Sequence, residues 1–251
     1  MKTRTNMSQW ELFERAIASG ALTRLFIEGP PGVGKSSVAR ALLSKKCADV
    51  MTVYFNEDLT STELSGHWVP KGNRFEKWEG KLIKAASNGL GLLLDEVGRA
   101  AAAVQDLLLM VLDDSKDRKI ETPLGRWKVH PDLIVIATSN SPLTDLDPAL
   151  ADRFEGSFKV TTPHPNIIRE LNSKVANLGD VVFDSYSDSN IITPRRAFAL
   201  ARLAEAGFSL EDSAKVVLPG LASDFVDALK IRRAANSNVP KEDDDETEEE
   251  E

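Results

Sequence analysis

Residues 29–36 read Gly29-Pro30-Pro31-Gly32-Val33-Gly34-Lys35-Ser36, followed by Ser37, and match G-x-x-x-x-G-K-[ST]. No other stretch restricts the fold as much. The apolar run 24–27 before it has strand length, and residues 36–46 after it place Val38, Leu42 and Leu43 at helical spacing. A strand, a glycine loop and a helix in that order aim backbone N–H groups at an anion, and the helix N-terminus adds partial positive charge. Gly32 and Gly34 allow backbone angles that a Cβ forbids. In such a loop Lys35 reaches the terminal phosphates and the Ser36 hydroxyl ligates Mg²⁺. The expectation is an α/β fold that binds a nucleoside triphosphate over Gly29 to Ser37.

Sixty residues after Lys35, the run 91–94 ends in Asp95 and Glu96. An apolar run closing on two acids is the pattern of a buried strand delivering carboxylates to the C-terminal edge of a sheet, where ligands sit in open α/β folds. Asp95 is placed to hold Mg²⁺ and Glu96 to polarise an attacking water, since the chain turns at the strand end. Taken alone, the pair could equally cap the next helix. After a phosphate loop, the carboxylate role takes precedence. A second apolar run, 132–139, ends in Asn140, whose amide could orient the water or sense the γ-phosphate. Thirteen residues on, Arg153 stands between an acid and an aromatic. Thr193 and Pro194 then read as a helix start, with Arg195 and Arg196 in the first turn.

Composition bounds the setting. The 251 residues suit one moderate domain plus a small second one, and 42% apolar with 28% charged residues predicts a soluble globular chain. No apolar run approaches a membrane span of about 18 residues, and the N-terminus has no signal-peptide core. The single Cys47 allows no intrachain disulfide and fits a reducing cytoplasm. His67, His130 and His164 lack zinc-ligand spacing. The net charge of −8 resides in the C-terminal run 242–251, nine of whose ten residues are acidic; without residues 241–251 the chain is neutral. Such a run predicts a disordered tail over 236–251, either solubilising or a docking peptide for a basic surface. A neutral body also speaks against general nucleic-acid binding.

Phosphate loop, Asp-Glu strand, Asn-tipped strand, Asp-Arg-Phe and Thr-Pro-Arg together resemble the AAA+ ATPases over roughly residues 10 to 232. Within them the chain looks most like the MoxR group, with its Rubisco-activating, nitric-oxide-reductase-activating and cobaltochelatase-small-subunit branches. The resemblance implies ATP with Mg²⁺ as ligands. It also implies a three-layer αβα domain over 1–164 with a five-stranded parallel sheet, and a small helical lid over 165–235. Asn140 then matches the first sensor, Arg153 the arginine finger acting on a neighbouring subunit's ATP, and Arg195 the lid sensor, with Arg196 open as the alternative by one position. A ring, usually of six copies, and an adaptor with a von Willebrand factor A domain are also implied. The chain departs from the family at Gly98, where many relatives read Asp-Glu-x-Asn-Arg-Ala.

Two hairpin inserts are expected. One spans 67–78 around Lys71-Gly72-Asn73 with Trp68, Phe75 and Trp78 on its arms, and the other turns at 122–125 with Trp127 near Arg118 and Arg126. The aromatics either pack in the core or project to grip a partner. The function expected is a motor or chaperone that remodels or activates a partner protein without a membrane. The alternative is a DNA-associated ATPase, a loader or nuclease motor subunit, although no helix-turn-helix or basic stripe is evident. A nucleotide-gated scaffold with little turnover is a third reading, against which Glu96, Asn140 and Arg153 stand together.

Overall fold

A computed structural model of the chain describes residues 7–115, 117–186 and 192–237; the acidic run 242–251 lies outside them. The chain divides into two compact units, Met1–His164 and Pro165–Glu251.

Among the described residues the first unit is built on nine strands: β1 (Arg24–Glu28), β2 (Val50–Tyr54), β3 (Gly66–Lys71), β4 (Arg74–Glu79), β5 (Gly91–Asp95), β6 (Lys119–Thr122), β7 (Gly125–Lys128), β8 (Ile134–Ser139) and β9 (Gly156–Lys159). Five of them form one parallel sheet in the order β2-β5-β8-β1-β9. All five residues of β1 and the first four of β5 are buried, as expected of strands covered on both faces. Six helices accompany them: α1 (Gln9–Ser19), α2 (Lys35–Lys46), α3 (Ser61–Ser65), α4 (Lys81–Asn88), α5 (Ala102–Leu112) and α6 (Pro148–Ala151).

Alternation along the strands assigns the faces. Phe26, Leu92, Leu94, Val135 and Ala137 share one core with Leu82 and Ile83 of α4 and Leu107, Leu108 and Val111 of α5. The intervening residues face the opposite way. On that side Gly91 lies against Leu43 of α2, and Phe13 of α1 meets Phe158 of β9 edge to face, ring centroids 5.3 Å apart. Each fully buried Leu or Phe here contributes about 1.5–3 kcal/mol, so the sheet is a stiff base for the loops leaving its edge. At the start of α1, Ser8 and Glu11 form a reciprocal capping box.

The remaining strands pair as two hairpins. In β3–β4, Lys71 faces Arg74 across a two-residue turn, Gly72-Asn73, as the sequence predicts. In β6–β7, Thr122 faces Gly125. Trp68, Phe75 and Trp78 are exposed, at 49%, 70% and 41%, so they are not core residues. Trp127 has further partners in the first hairpin. Its indole N–H donates to Glu79 Oε1 (3.3 Å), and Lys77 Nζ stands 5.9 Å from its ring and 5.4 Å from that of Trp68. Arg126 pairs instead with Glu121, and Arg118 with backbone carbonyls. The alternating strand pleat turns Trp127 away from Arg126 and toward the first hairpin.

The second unit holds helices α7 (Pro165–Lys174), α8 (Leu178–Ser185), α9 (Pro194–Glu205), α10 (Leu210–Val217) and α11 (Ala222–Ser237), the last running two residues past the expected end of the helical segment. They close around Leu171, Leu178, Val182, Leu200 and Phe225. α9 begins at Pro194 as predicted, but the Thr193 hydroxyl makes no capping bond; the Thr193 carbonyl receives the Arg196 and Ala197 N–H groups. Among the described residues no helix is long and apolar enough to cross a membrane.

Candidate active site

Strands β5, β8 and β1 lie side by side and end at Asp95, Ser139 and Glu28, so the segments that follow them emerge from one edge. The phosphate loop follows β1. Gly29 is pressed against β9: a Cβ there would lie 2.0 Å from the Val160 carbonyl oxygen, which only glycine tolerates. Val33 is fully buried and its carbonyl receives the His164 N–H (3.0 Å), while Pro31, Gly32 and Ser37 are exposed and Pro30 and Gly34 half-buried. Gly34 takes φ 104° at the start of α2, a left-handed turn that a side chain would resist.

Lys35 is 6% exposed. Its ammonium donates to the carbonyls of Gly29 (2.7 Å) and Pro30 (3.0 Å) and to Asn140 Oδ1 (2.9 Å). Burial lowers its pKa, opposed by the nearby carboxylates of Glu96 and Asp95. The cation is thus held in the loop by neutral oxygens, an arrangement suited to an incoming phosphate that supplies the missing counter-charge.

Ser36 Oγ and Thr138 Oγ1 both donate to Asp95 Oδ1, each at 2.5 Å. Glu96 sits in the left-handed region at φ 61°, and this turn at the end of β5 frees its side chain from strand alternation. Its N–H donates to Thr138 Oγ1 (3.3 Å), and its Oε1 accepts from Asn140 Nδ2 (2.6 Å). Asn140 therefore bridges Lys35 and Glu96. Its own loop is held by Ser141 N–H to Ser139 Oγ (2.9 Å) and Leu143 N–H to Glu28 Oε2 (2.7 Å). Gly98, the departure from the family pattern, approaches the same loop: a Cβ there would meet Ser139 Oγ at 3.1 Å.

Lys35, Ser36, Asp95, Glu96 and Asn140 are thus brought together. Arg153 is not. β9 pairs with β1 through Leu25 and Gly156, so Arg153 precedes the N-terminal end of the sheet while the phosphate loop leaves the C-terminal end. A strand of that length separates them by about 15 Å. Arg153 lies near Asp113 (3.7 Å) and Asp114 (3.9 Å), and its Nε is buried without a hydrogen-bond partner. Arg195 and Arg196 are both exposed in the first turn of α9, in the second unit. Sequence reading missed Thr138 and Glu28. A hydroxyl within a buried apolar run and an acid closing such a run are the signals that could have found them.

A magnesium ion fits these residues. The Ser36 hydroxyl and the Asp95 carboxylate are adjacent oxygens beside the loop, and Mg²⁺ is commonly held by one or two protein oxygens together with substrate phosphates.

Residues 24–154 match the family described as AAA domain (dynein-related subfamily). The chain is similar to Midasin of Giardia intestinalis, 28% identical over 176 residues, which is 70% of this chain and 3% of that protein. It is also similar to Protein CbbQ of Hydrogenophilus thermoluteolus (29% identical; 64% of this chain, 61% of that one). Chaperone MoxR1 of Mycobacterium tuberculosis is 28% identical over 66% of this chain and 44% of its own. The chain therefore spans less than two thirds of the length of these relatives. Among solved structures, NtrX from Brucella abortus in complex with ATP shares the fold, with a TM-score of 0.57 at 21% identity over 94% of this chain and 61% of that one. With its family match extending over Lys35, Asp95, Glu96 and Asn140, and its likeness to CbbQ and MoxR1, the chain belongs to the AAA ATPases, dynein-related subfamily, with MoxR-like relatives.

Proposed function

We propose that the chain hydrolyses Mg-ATP within a ring of its own copies and uses the cycle to remodel or activate a partner protein. One observation carries the reading: the hydrolytic groups converge at one edge of the sheet, while Arg153 stands at the other. ATP is the substrate, its phosphates held by the loop N–H groups and Lys35. Ser36 and Asp95 would hold Mg²⁺, which would neutralise charge on the phosphates. Glu96 accepts a proton from water as the water oxygen bonds to the γ-phosphorus and the bond to the β–γ bridging oxygen breaks. Asn140, bonded to Lys35 and Glu96, orients the base and registers whether Lys35 has turned to a phosphate.

Arg153 cannot serve its own site across the sheet, so it serves that of a neighbouring copy. Hydrolysis then requires assembly. The exposed Trp68, Phe75 and Trp78, beside Lys77, are the surface offered to the partner, a protein substrate or an adaptor such as a von Willebrand factor A domain. Arg195 in the second unit is proposed as the lid sensor. The test is the solution mass of Glu96→Gln protein with and without Mg-ATP over a range of concentrations. A nucleotide-dependent ring of about six copies supports the reading. A nucleotide-bound monomer at every concentration contradicts it, and hydrolysis stimulated by DNA with steep salt dependence would point to nucleic acid instead.

A further inference from the structure

We propose that Thr138 is a positioning residue for hydrolysis, its hydroxyl fixing the metal-holding carboxylate of Asp95 and the left-handed backbone of Glu96 at once. The inference rests on the hydrolytic reading of this edge. Thr138 is fully buried on β8, where the isosteric valine would suit the strand as well as its apolar neighbours do. A buried hydroxyl is tolerated only when bonded, and this one is bonded twice: it donates to Asp95 Oδ1 (2.5 Å) and accepts from the Glu96 N–H (3.3 Å).

The parallel register explains how one side chain reaches both. Leu94 stands opposite Ala137, so the residues one step on, Asp95 and Thr138, are neighbours at the strand tips. Glu96 is one of two non-glycine residues at positive φ among those described. A left-handed non-glycine persists where its surroundings hold it, and here the Thr138 hydroxyl receives its N–H. That turn carries the Glu96 carboxylate to Asn140. Ser36 also donates to Asp95 Oδ1, but in the proposed function its hydroxyl is shared with the metal. Thr138, on a fixed strand, bonds the Asp95 carboxylate and the Glu96 N–H.

The experiment compares full-length Thr138→Val and Thr138→Ser with the parent protein. Three quantities are read: affinity for a fluorescent ADP analogue in chelator, Mg²⁺ half-saturation for binding a non-hydrolysable ATP analogue, and kcat with KM. For Thr138→Val the metal-free affinity stays within about twofold, while Mg²⁺ half-saturation rises about tenfold and kcat falls about 100-fold with little change in KM, in the range found for groups that orient metal ligands. Thr138→Ser, which keeps the hydroxyl, restores both. A folded Thr138→Val with parental kcat and Mg²⁺ half-saturation overturns the proposal, as does a folded Thr138→Ser that restores neither. Should valine prevent folding, Thr138→Ala is measured in the same way and judged by the same results. If the parent itself does not hydrolyse ATP, the hydrolytic reading fails, and the Mg²⁺ half-saturation still decides the role of Thr138.

Discussion

The phosphate-loop edge of the sheet and the paired hairpins are opposites in how they leave their side chains. At the edge, the named polar groups are already bonded to one another: Lys35 to Asn140, Asn140 to Glu96, and Ser36 and Thr138 to Asp95. At the hairpins, large apolar groups are uncovered, Phe75 at 70% exposure and Trp68 at 49%. In the proposed function the first region is a set of hydrogen bonds that a nucleotide exchanges, and the second is a surface that a partner covers. On the proposed function, ATP chemistry and partner contact then rest on separate residues of one small unit. Lys77, standing over both Trp68 and Trp127, and the Trp127–Glu79 hydrogen bond join the two hairpins so that they present one surface.

The largest expected effect is at neither region. Arg153→Ala should lower ATP hydrolysis by about 10³–10⁵-fold while leaving nucleotide affinity intact, because a finger stabilises charge only in the transition state. Steady-state hydrolysis beside equilibrium binding separates the two, and a drop under tenfold would remove Arg153 from the mechanism. Next in size, Glu96→Gln should keep Mg-ATP bound and slow turnover by about 10²–10⁴-fold, since an amide cannot take the water's proton. Parental turnover in that variant would mean that the base lies elsewhere.

At the hairpins the effects shift from chemistry to recognition. Trp68→Ala or Phe75→Ala should weaken a partner protein captured on Glu96→Gln rings by about 1–2 kcal/mol, measured as a dissociation constant. Unchanged affinity in both would show that the exposed aromatics are not the contact. Smallest of all, Lys77→Ala should lower the unfolding free energy by about 1 kcal/mol, because cation–π contacts at exposed sites contribute little. A loss several times larger in denaturant titration would mean that the hairpins depend on each other for folding.

The convergence of Lys35, Asp95, Glu96 and Asn140 was legible from residue order, because the phosphate loop, the Asp95-Glu96 strand end and Asn140 are each local patterns. The five-stranded parallel sheet was legible through the resemblance they establish. Thr138 was not, since a threonine among valines and isoleucines is ordinary in a strand. Its role exists only because the register sets Leu94 opposite Ala137, and register between strands forty residues apart leaves no local mark. The separation of Arg153 from the phosphate loop likewise follows from the pairing of Leu25 with Gly156. Trp127 was expected beside Arg118 and Arg126 because they are near it in sequence. It also meets Lys77 and Glu79, about fifty residues away, which residue order does not show. The proximity of Gly98 to Ser139, forty-one residues on, was likewise not readable from residue order.

The central claim is that the two edges of the sheet work on different copies of the chain, and mixing two inactive variants tests it most directly. Lys35→Ala protein should bind no nucleotide but keeps its Arg153, while Arg153→Ala protein binds ATP but has no finger. Each alone should be inactive, and a mixture should recover a substantial fraction of parental hydrolysis as mixed rings pair an intact loop with an intact arginine. Co-assembly of the two variants, seen by mass, without any recovered hydrolysis would contradict the account.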